Sequence, residues 1–141
     1  MRIRAIADTS AVDARLRNAI KGLDDLSPLL TEFGAMGERA AKMAHAEEAT
    51  PGGAAWPDLA ASTWRQKRGG RKLWETGTLA RSFTARPPMG SSVEVASEGV
   101  PYAIYHHTGT RKMPQRRSLP LPNYLEPKMT AIAKRYLGRI L

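Results

Sequence analysis

Residues 27–49 constrain the fold more than any other stretch. Ser27-Pro28 is a helix start, a capping side chain followed by a proline where no amide donor is needed. Leu29, Phe33, Met36, Ala40 and Met43 then recur at steps of four and three, with Glu32, Glu38, Arg39, Lys42 and Glu47 between them. This predicts an amphipathic helix to about Ala49, ~33 Å long at 1.5 Å per residue. Its apolar stripe must be covered by the rest of the chain. Gly34 and Gly37 lie inside it and weaken it by about 1 kcal/mol each relative to alanine. They are either a plain cost or places where another element comes close.

Beyond residue 49, Gly and Pro break the chain into short pieces, so the cover must be made of short elements. Residues 50–57 form a loop ending near Trp56, which packs onto the core. Residues 58–67 read as a short helix carrying Leu59 and Trp64, and Leu73 to Phe83 as another, interrupted by Gly77. Residues 82–86 and 92–96 are strand-like and Pro87-Pro88-Met89-Gly90 turns the chain between them, which predicts a hairpin. Pro101 to Tyr105 is a further short element, and Leu119-Pro120-Leu121 is extended. A last helix starts near Pro127, with Met129, Ile132, Tyr136 and Ile140 on one face. Before residue 27, a weak alternation over 2–8 predicts an edge strand. Ser10 is an N-cap with Asp13 in the first turn, and Val12, Leu16, Ile20 and Leu23 come after it at helical spacing. The sum is an α+β fold: a small antiparallel β-sheet packed against a long N-terminal helix and a C-terminal helix, in one domain over 1–141.

Composition narrows the function. The 141 residues include no cysteine, so disulfides, thiolate metal sites and cysteine nucleophiles are excluded. No apolar run approaches the ~20 residues of a bilayer span, and no signal-peptide core follows Met1. The expectation is a cytoplasm-like compartment and no membrane. The net charge of +9 is unevenly placed. Up to Thr63 there are 7 basic and 9 acidic residues; beyond it there are 15 basic and 4 acidic. Two short segments hold most of the excess. One is Arg65, Lys67, Arg68, Arg71 and Lys72 around Gly69-Gly70, and the other is Arg111, Lys112, Arg116 and Arg117 around Pro114. These nine are the candidate partner-binding residues. They are read either as solvated loops or as an electrostatic surface for an acidic protein face or nucleic acid.

Reactive constellations are not apparent. His106-His107, read on a strand, point to opposite faces and do not chelate one metal together. Their ordinary role is structural or at an interface. No nucleophile elbow or phosphate-cradling glycine loop is present, and the second half has only Glu75, Glu94, Glu98 and Glu126 as bases. The expectation is no enzyme, no cofactor and no metal. Trp64 and Trp74 flank the first basic segment as in single-strand binders, but they also sit at core spacing relative to Leu59 and Leu79. Nucleic acid therefore stays an alternative partner, behind a protein face.

Four spaced features carry a resemblance. They are Trp56-Pro57-x-Leu59 with Thr63 and Lys67; Leu73-x-x-Thr76-Gly77-x-Leu79-x-x-Ser82; Val93-Glu94-Val95 followed by Tyr102-Ala103-x-Tyr105-His106; and Gly109 leading to Met113-Pro114-x-Arg116. In this order, over about residues 10 to 141, the chain resembles the phage virion morphogenesis family of tail-completion proteins. The resemblance implies a non-enzymatic structural protein at the head–tail junction, in the virion and, during assembly, in the host cytoplasm. It implies a homo-oligomeric ring, commonly of six subunits, that meets tail-tube and neck or connector proteins. The alternative is an assembly factor absent from the finished particle. Tyr102–Gly109 is read as a turn that plugs the core with Tyr102, or else as part of a ring interface.

Overall fold

The computed structural model describes residues 10–141, and the expected edge strand over 2–8 lies outside them. The elements in order are α1 (Ser10–Asp24), α2 (Ser27–Glu47), α3 (Ala61–Gln66), α4 (Thr78–Arg81), β1 (Phe83–Ala85), β2 (Val95–Ser97), α5 (Ala103–Thr108) and α6 (Pro122–Ile140). The fold is α+β, with a two-stranded antiparallel sheet set against α2 and with α6 beside it.

The predicted long helix is α2, but its inward face is rotated from the expected stripe. Leu30, Gly34, Gly37, Ala40, Ala41, Ala44 and His45 are buried, so Ala40 of the expected stripe faces inward, whereas Met43 is 50% exposed and Phe33 and Met36 are half-buried. The reason is the hairpin. A Cβ on Gly34 would stand 2.9 Å from Val93 Cγ2 and 3.0 Å from the Ala85 Cβ, and one on Gly37 would stand 3.1 Å from Val95 Cγ2. The glycines therefore admit β-branched side chains against the helix backbone, where a larger residue would hold the sheet away. Phe33 turns instead toward Leu125 and Met129 of α6, with which it lines a shallow groove. Ser27 is the first helical residue rather than the cap. Leu26 occupies the cap position, and the Ser27 N–H donates to Asp25 Oδ1 at 3.0 Å. The helix ends at Glu48, which adopts the left-handed conformation more usual for glycine, at φ 53°.

The hairpin pairs Phe83 with Ser97, Thr84 with Ala96 and Ala85 with Val95, and the Arg86 N–H extends the ladder to the Glu94 carbonyl. On the other edge of β1, the Ala85 N–H donates to Glu38 Oε2 of α2 at 2.9 Å, so a helix carboxylate satisfies a strand-edge amide. The core gathers Ala41, Leu79, Phe83 and Val100, with Leu73, Ala103 and Leu119 packed on it. His45 is fully buried beside it. Its ring is edge-on to Trp56 at 5.1 Å and tilted over Phe83 at 5.6 Å, and Nε2 bonds the Ser118 hydroxyl at 2.9 Å.

Four further expectations are corrected. The helix expected over 58–67 is only Ala61–Gln66, with Leu59 ahead of it. The helix expected from Leu73 to Phe83 shrinks to one turn. Leu73 and Gly77 both have positive φ, which no α-helix contains, and Phe83 opens β1. The His106-His107 pair lies on α5, a helix, rather than on a strand. The last helix begins at Pro122, five residues before the expected Pro127 start. Leu121 is extended before it, and Pro122 fits the first turn without a missing bond. Pro127 then removes only the bond to the Asn123 carbonyl. Its inward face is as expected: Tyr136 is buried, with Met129, Ile132 and Ile140 half-buried along it.

α1 is the helix that the spacing predicts, but it lies on the body by a narrow edge. Ala19 is buried, Gly22 lies against Ile140, and the Tyr136 hydroxyl donates to the Gly22 carbonyl at 2.7 Å. Val12, Leu16, Ile20 and Leu23 remain exposed.

Candidate functional site

A concavity of about 540 Å³ opens between α3, the 73–79 segment and α5. It is built by segments with little regular structure, each fastened by buried polar contacts. Trp56 anchors the first: its indole N–H donates to the Arg117 carbonyl at 3.0 Å, and its own carbonyl accepts from Lys72 Nζ at 3.2 Å. Arg116 fastens the next residues. Only 3% exposed, its guanidinium donates to the Pro57 carbonyl at 2.8 Å and the Asp58 carbonyl at 2.6 Å. Its backbone N–H reaches the His106 carbonyl at 2.8 Å, so one residue ties the 57–58 loop to α5. Burial lowers the Arg116 pKa from the ordinary arginine value, with the Asp58 charge opposing.

The opposite wall is closed by Lys67. Its side chain is 8% exposed, and Nζ donates to the Trp74 carbonyl at 2.7 Å and pairs with Glu75 Oε2 at 2.9 Å. That hydrogen bond holds Glu75 below the usual carboxylate range. Asp58 is held low by the Leu59 N–H and then by the Trp64 indole N–H. Gly77, at φ 76°, lets Trp74 fold over it, since a Cβ there would meet the ring at 2.8 Å. Arg71 stacks on the same ring at 4.3 Å and donates to the His45 carbonyl at 2.9 Å.

Both basic segments meet at this cleft, but their residues divide into two groups. Lys67, Arg71, Lys72 and Arg116 have their cationic groups engaged by the chain's own carbonyls, the indole of Trp74 and one carboxylate. Arg117 is half-buried, with Nε buried and unpartnered. Arg65, Arg68, Arg111 and Lys112 are exposed and make no ion pair among the described residues. Lys112 itself lines the cleft. The result is a groove with Leu59, Leu73, Leu79 and Met113 in its walls and with the exposed Asp58, Glu75 and Lys112 also lining it.

Sequence reasoning marked a short element over Pro101 to Tyr105 but not that it is a helix reaching Thr108. Tyr102 does not plug the core; it is 46% exposed and lines the cleft, edge-on to His106 at 6.0 Å. Ile104 and Tyr105 are exposed as well. The pattern Tyr-x-Ile-Tyr reads as buried by composition, and only the short helix shows that it faces out. Burial, then the Arg116 charge, lowers the pKa of His106, and its Nδ1 is buried without a partner. Burial and then Arg117 lower that of His107.

Most of the residues that carry the family resemblance surround this one groove: Leu59, Thr63 and Lys67; Leu73, Thr76, Gly77 and Leu79; Tyr102 and His106; Met113, Pro114 and Arg116. A model of the phage virion morphogenesis family matches residues 7–139. The chain belongs to that family. No curated protein and no solved structure matches it. This phage virion morphogenesis protein therefore acts in virion assembly. No helix among its described residues is long and apolar enough to cross a membrane.

Proposed function

We propose that this protein is a structural, non-enzymatic component of the head–tail junction. It completes the tail or neck so that a DNA-filled head can attach. In this reading it works as a ring, of six subunits to match tail symmetry, between the tail tube and the neck or connector proteins. It assembles in the host cytoplasm and is retained in the virion.

The observation that carries the reading is the cleft. The family's spaced motifs, scattered over about 60 residues, converge on a groove with apolar walls, lined at its exposed edge by Asp58, Glu75 and Lys112. Such a groove is a docking surface in form: an apolar centre that excludes water, and rim charges of both signs that orient a partner. Its inner cations fasten the walls and cannot be reversed without opening the fold. The informative variant therefore reverses only Arg65, Arg68, Arg111 and Lys112 to glutamate.

Deletion of the gene should yield DNA-filled heads beside separate tails in electron micrographs. The fourfold charge-reversal variant should fold, by circular dichroism, and fail to restore joining. Normal infectious particles from either would overturn the reading. Absence of the chain from purified virions would move it to a transient assembly factor. Nucleic-acid binding that weakens steeply with salt would instead favour a phosphate-binding module.

A further inference from the structure

The two outer edges of the hairpin are not alike. The bonds from the Arg86 N–H to the Glu94 carbonyl and from the Glu98 N–H to the Ser82 carbonyl fix the phase of the ladder. Backbone groups alternate in an antiparallel pair, so Ala85 on β1 and Val95 and Ser97 on β2 turn theirs outward. The β1 edge is closed there by Glu38, which accepts from the Ala85 N–H. Nothing similar closes β2: among the described residues, the Val95 and Ser97 amides and carbonyls have no hydrogen-bond partner. Such an edge is a template for a further strand. Its two faces also differ. Val93 and Val95 point at Gly34 and Gly37 of α2. Glu94 and Glu98 lie on the exposed face, with the single guanidinium of Arg86 shared between their two carboxylates.

We propose that residues 2–8 of a second copy add a strand to this edge. Read at period two, Arg2 and Arg4 take one face and Ile3, Ala5 and Ala7 the other. An antiparallel register with Ile3 opposite Ser97 and Ala5 opposite Val95 lets Ile3 and Ala5 exchange bonds with the open backbone groups. The same register sets Arg2 opposite Glu98 and Arg4 opposite Ala96, between two carboxylates that hold one cation in common. It sets Ile3, Ala5 and Ala7 beside the valines over α2. A one-residue slip would reverse both matches. The strand comes from another copy because of the helix that follows it. Residues 11–18 of α1 are exposed throughout, and the helix meets its own body only at Ala19 and Gly22. Residues 2–8 thus lead into a half-helix that its own body leaves uncovered. A donated strand joins two different patches, which propagates head to tail. The contact deepens the ring reading above and rests on it for closure.

The chain has no cysteine, so introduced ones report without background. Arg4→Cys and Ala96→Cys are made in separate full-length chains and mixed under mild oxidation. A disulfide-linked heterodimer is expected from this mixture, and far less from Ala5→Cys with Ala96→Cys, whose side chains take opposite faces. A chain carrying both Arg4→Cys and Ala96→Cys serves as the control. Linkage within that chain, with none between the separate ones, would put the strand on its own sheet and overturn the proposal. Self-linking of Ala96→Cys would show β2 against β2 and overturn it too, as would no linkage at all. In a second arm, Ala5→Pro removes an N–H that the register aims at β2, whereas Ile6→Pro removes one aimed away. Ala5→Pro should weaken self-association by on the order of tenfold in sedimentation, and Ile6→Pro much less. Equal effects, or none, would equally overturn it. Both arms use purified protein. Their failure leaves the joining assay intact, and failure of that assay leaves the cross-link intact.

Discussion

α1 and α2 are both amphipathic in sequence, yet they meet opposite fates. α2 buries small residues, Leu30 and a histidine, and Phe33, Met36 and Met43 sit at its margins. α1 buries one alanine and leaves its four large apolar side chains outside. Periodicity thus states which way a helix would turn a surface if one were offered. It does not state whether the chain supplies that surface. For α2 the chain supplies β1, β2, α4 and α6; for α1 the cover that the described residues supply is chiefly α6.

The contrast can be broken most severely at the α2 side. Phe83→Ala removes a ring that is buried with Ala41 and Leu79, and should cost about 4 kcal/mol in urea denaturation. A loss under ~1 kcal/mol would mean that the α2–hairpin contact is not the centre of stability.

Acid should act next. Burial, reinforced by the charges of His106 and Arg71, lowers the His45 pKa from 6.5 to about 4. The folded state thus binds this proton less readily than the unfolded chain. Stability is complete above pH 6.5 and falls as the pH drops toward 4, by about 3 kcal/mol from this group. His106 and His107, also lowered by burial, add in the same direction. Glu38, Asp58 and Glu75 are held low by hydrogen bonds and lose their contribution only at more acid pH. The upper part of the window therefore belongs to the histidines. A flat denaturation profile from about pH 7 to 5 would contradict a buried neutral His45.

Gly34→Ala tests the close approach itself. In an open helix the change gains about 1 kcal/mol. Here the new methyl meets Val93 and Ala85 at 2.9 and 3.0 Å. Overpacking of about 2 kcal/mol should leave a net loss of about 1 kcal/mol. The smallest effect is expected on α1: Leu16→Ser should leave the dilute chain within about 0.5 kcal/mol of wild type. A larger loss would show that the stripe is covered within one chain.

Much of the architecture was legible in the residues. The long helix, the hairpin with its turn and the inner face of the last helix all come from period and turn chemistry. The register of α2 was not, because counting large apolar residues hides a face built from Gly34, Gly37, Ala41 and Ala44. The segment from Leu73 to Phe83 misled for a related reason. Leu73, Leu79 and Phe83 do converge on the core, but by turns and a strand rather than along a helix. For the site, sequence located both basic segments and could not sort them. Lys67 and Lys112 are the same residue type at similar local charge density, yet one is buried on a carbonyl and a carboxylate and the other is exposed at the cleft.

By itself, then, the sequence determined what is local or additive. That includes the α+β class, the uneven charge, the lack of thiol chemistry and the order of motifs that marks the family. Tertiary structure alone decided which groups lose water. Arg116 and His45 became internal fastenings because partners 58 and 73 residues away closed over them. Tyr102 and the α1 stripe stayed outside because none of the described residues folded over them. Burial depends on partners distant in the chain, and no local pattern contains them.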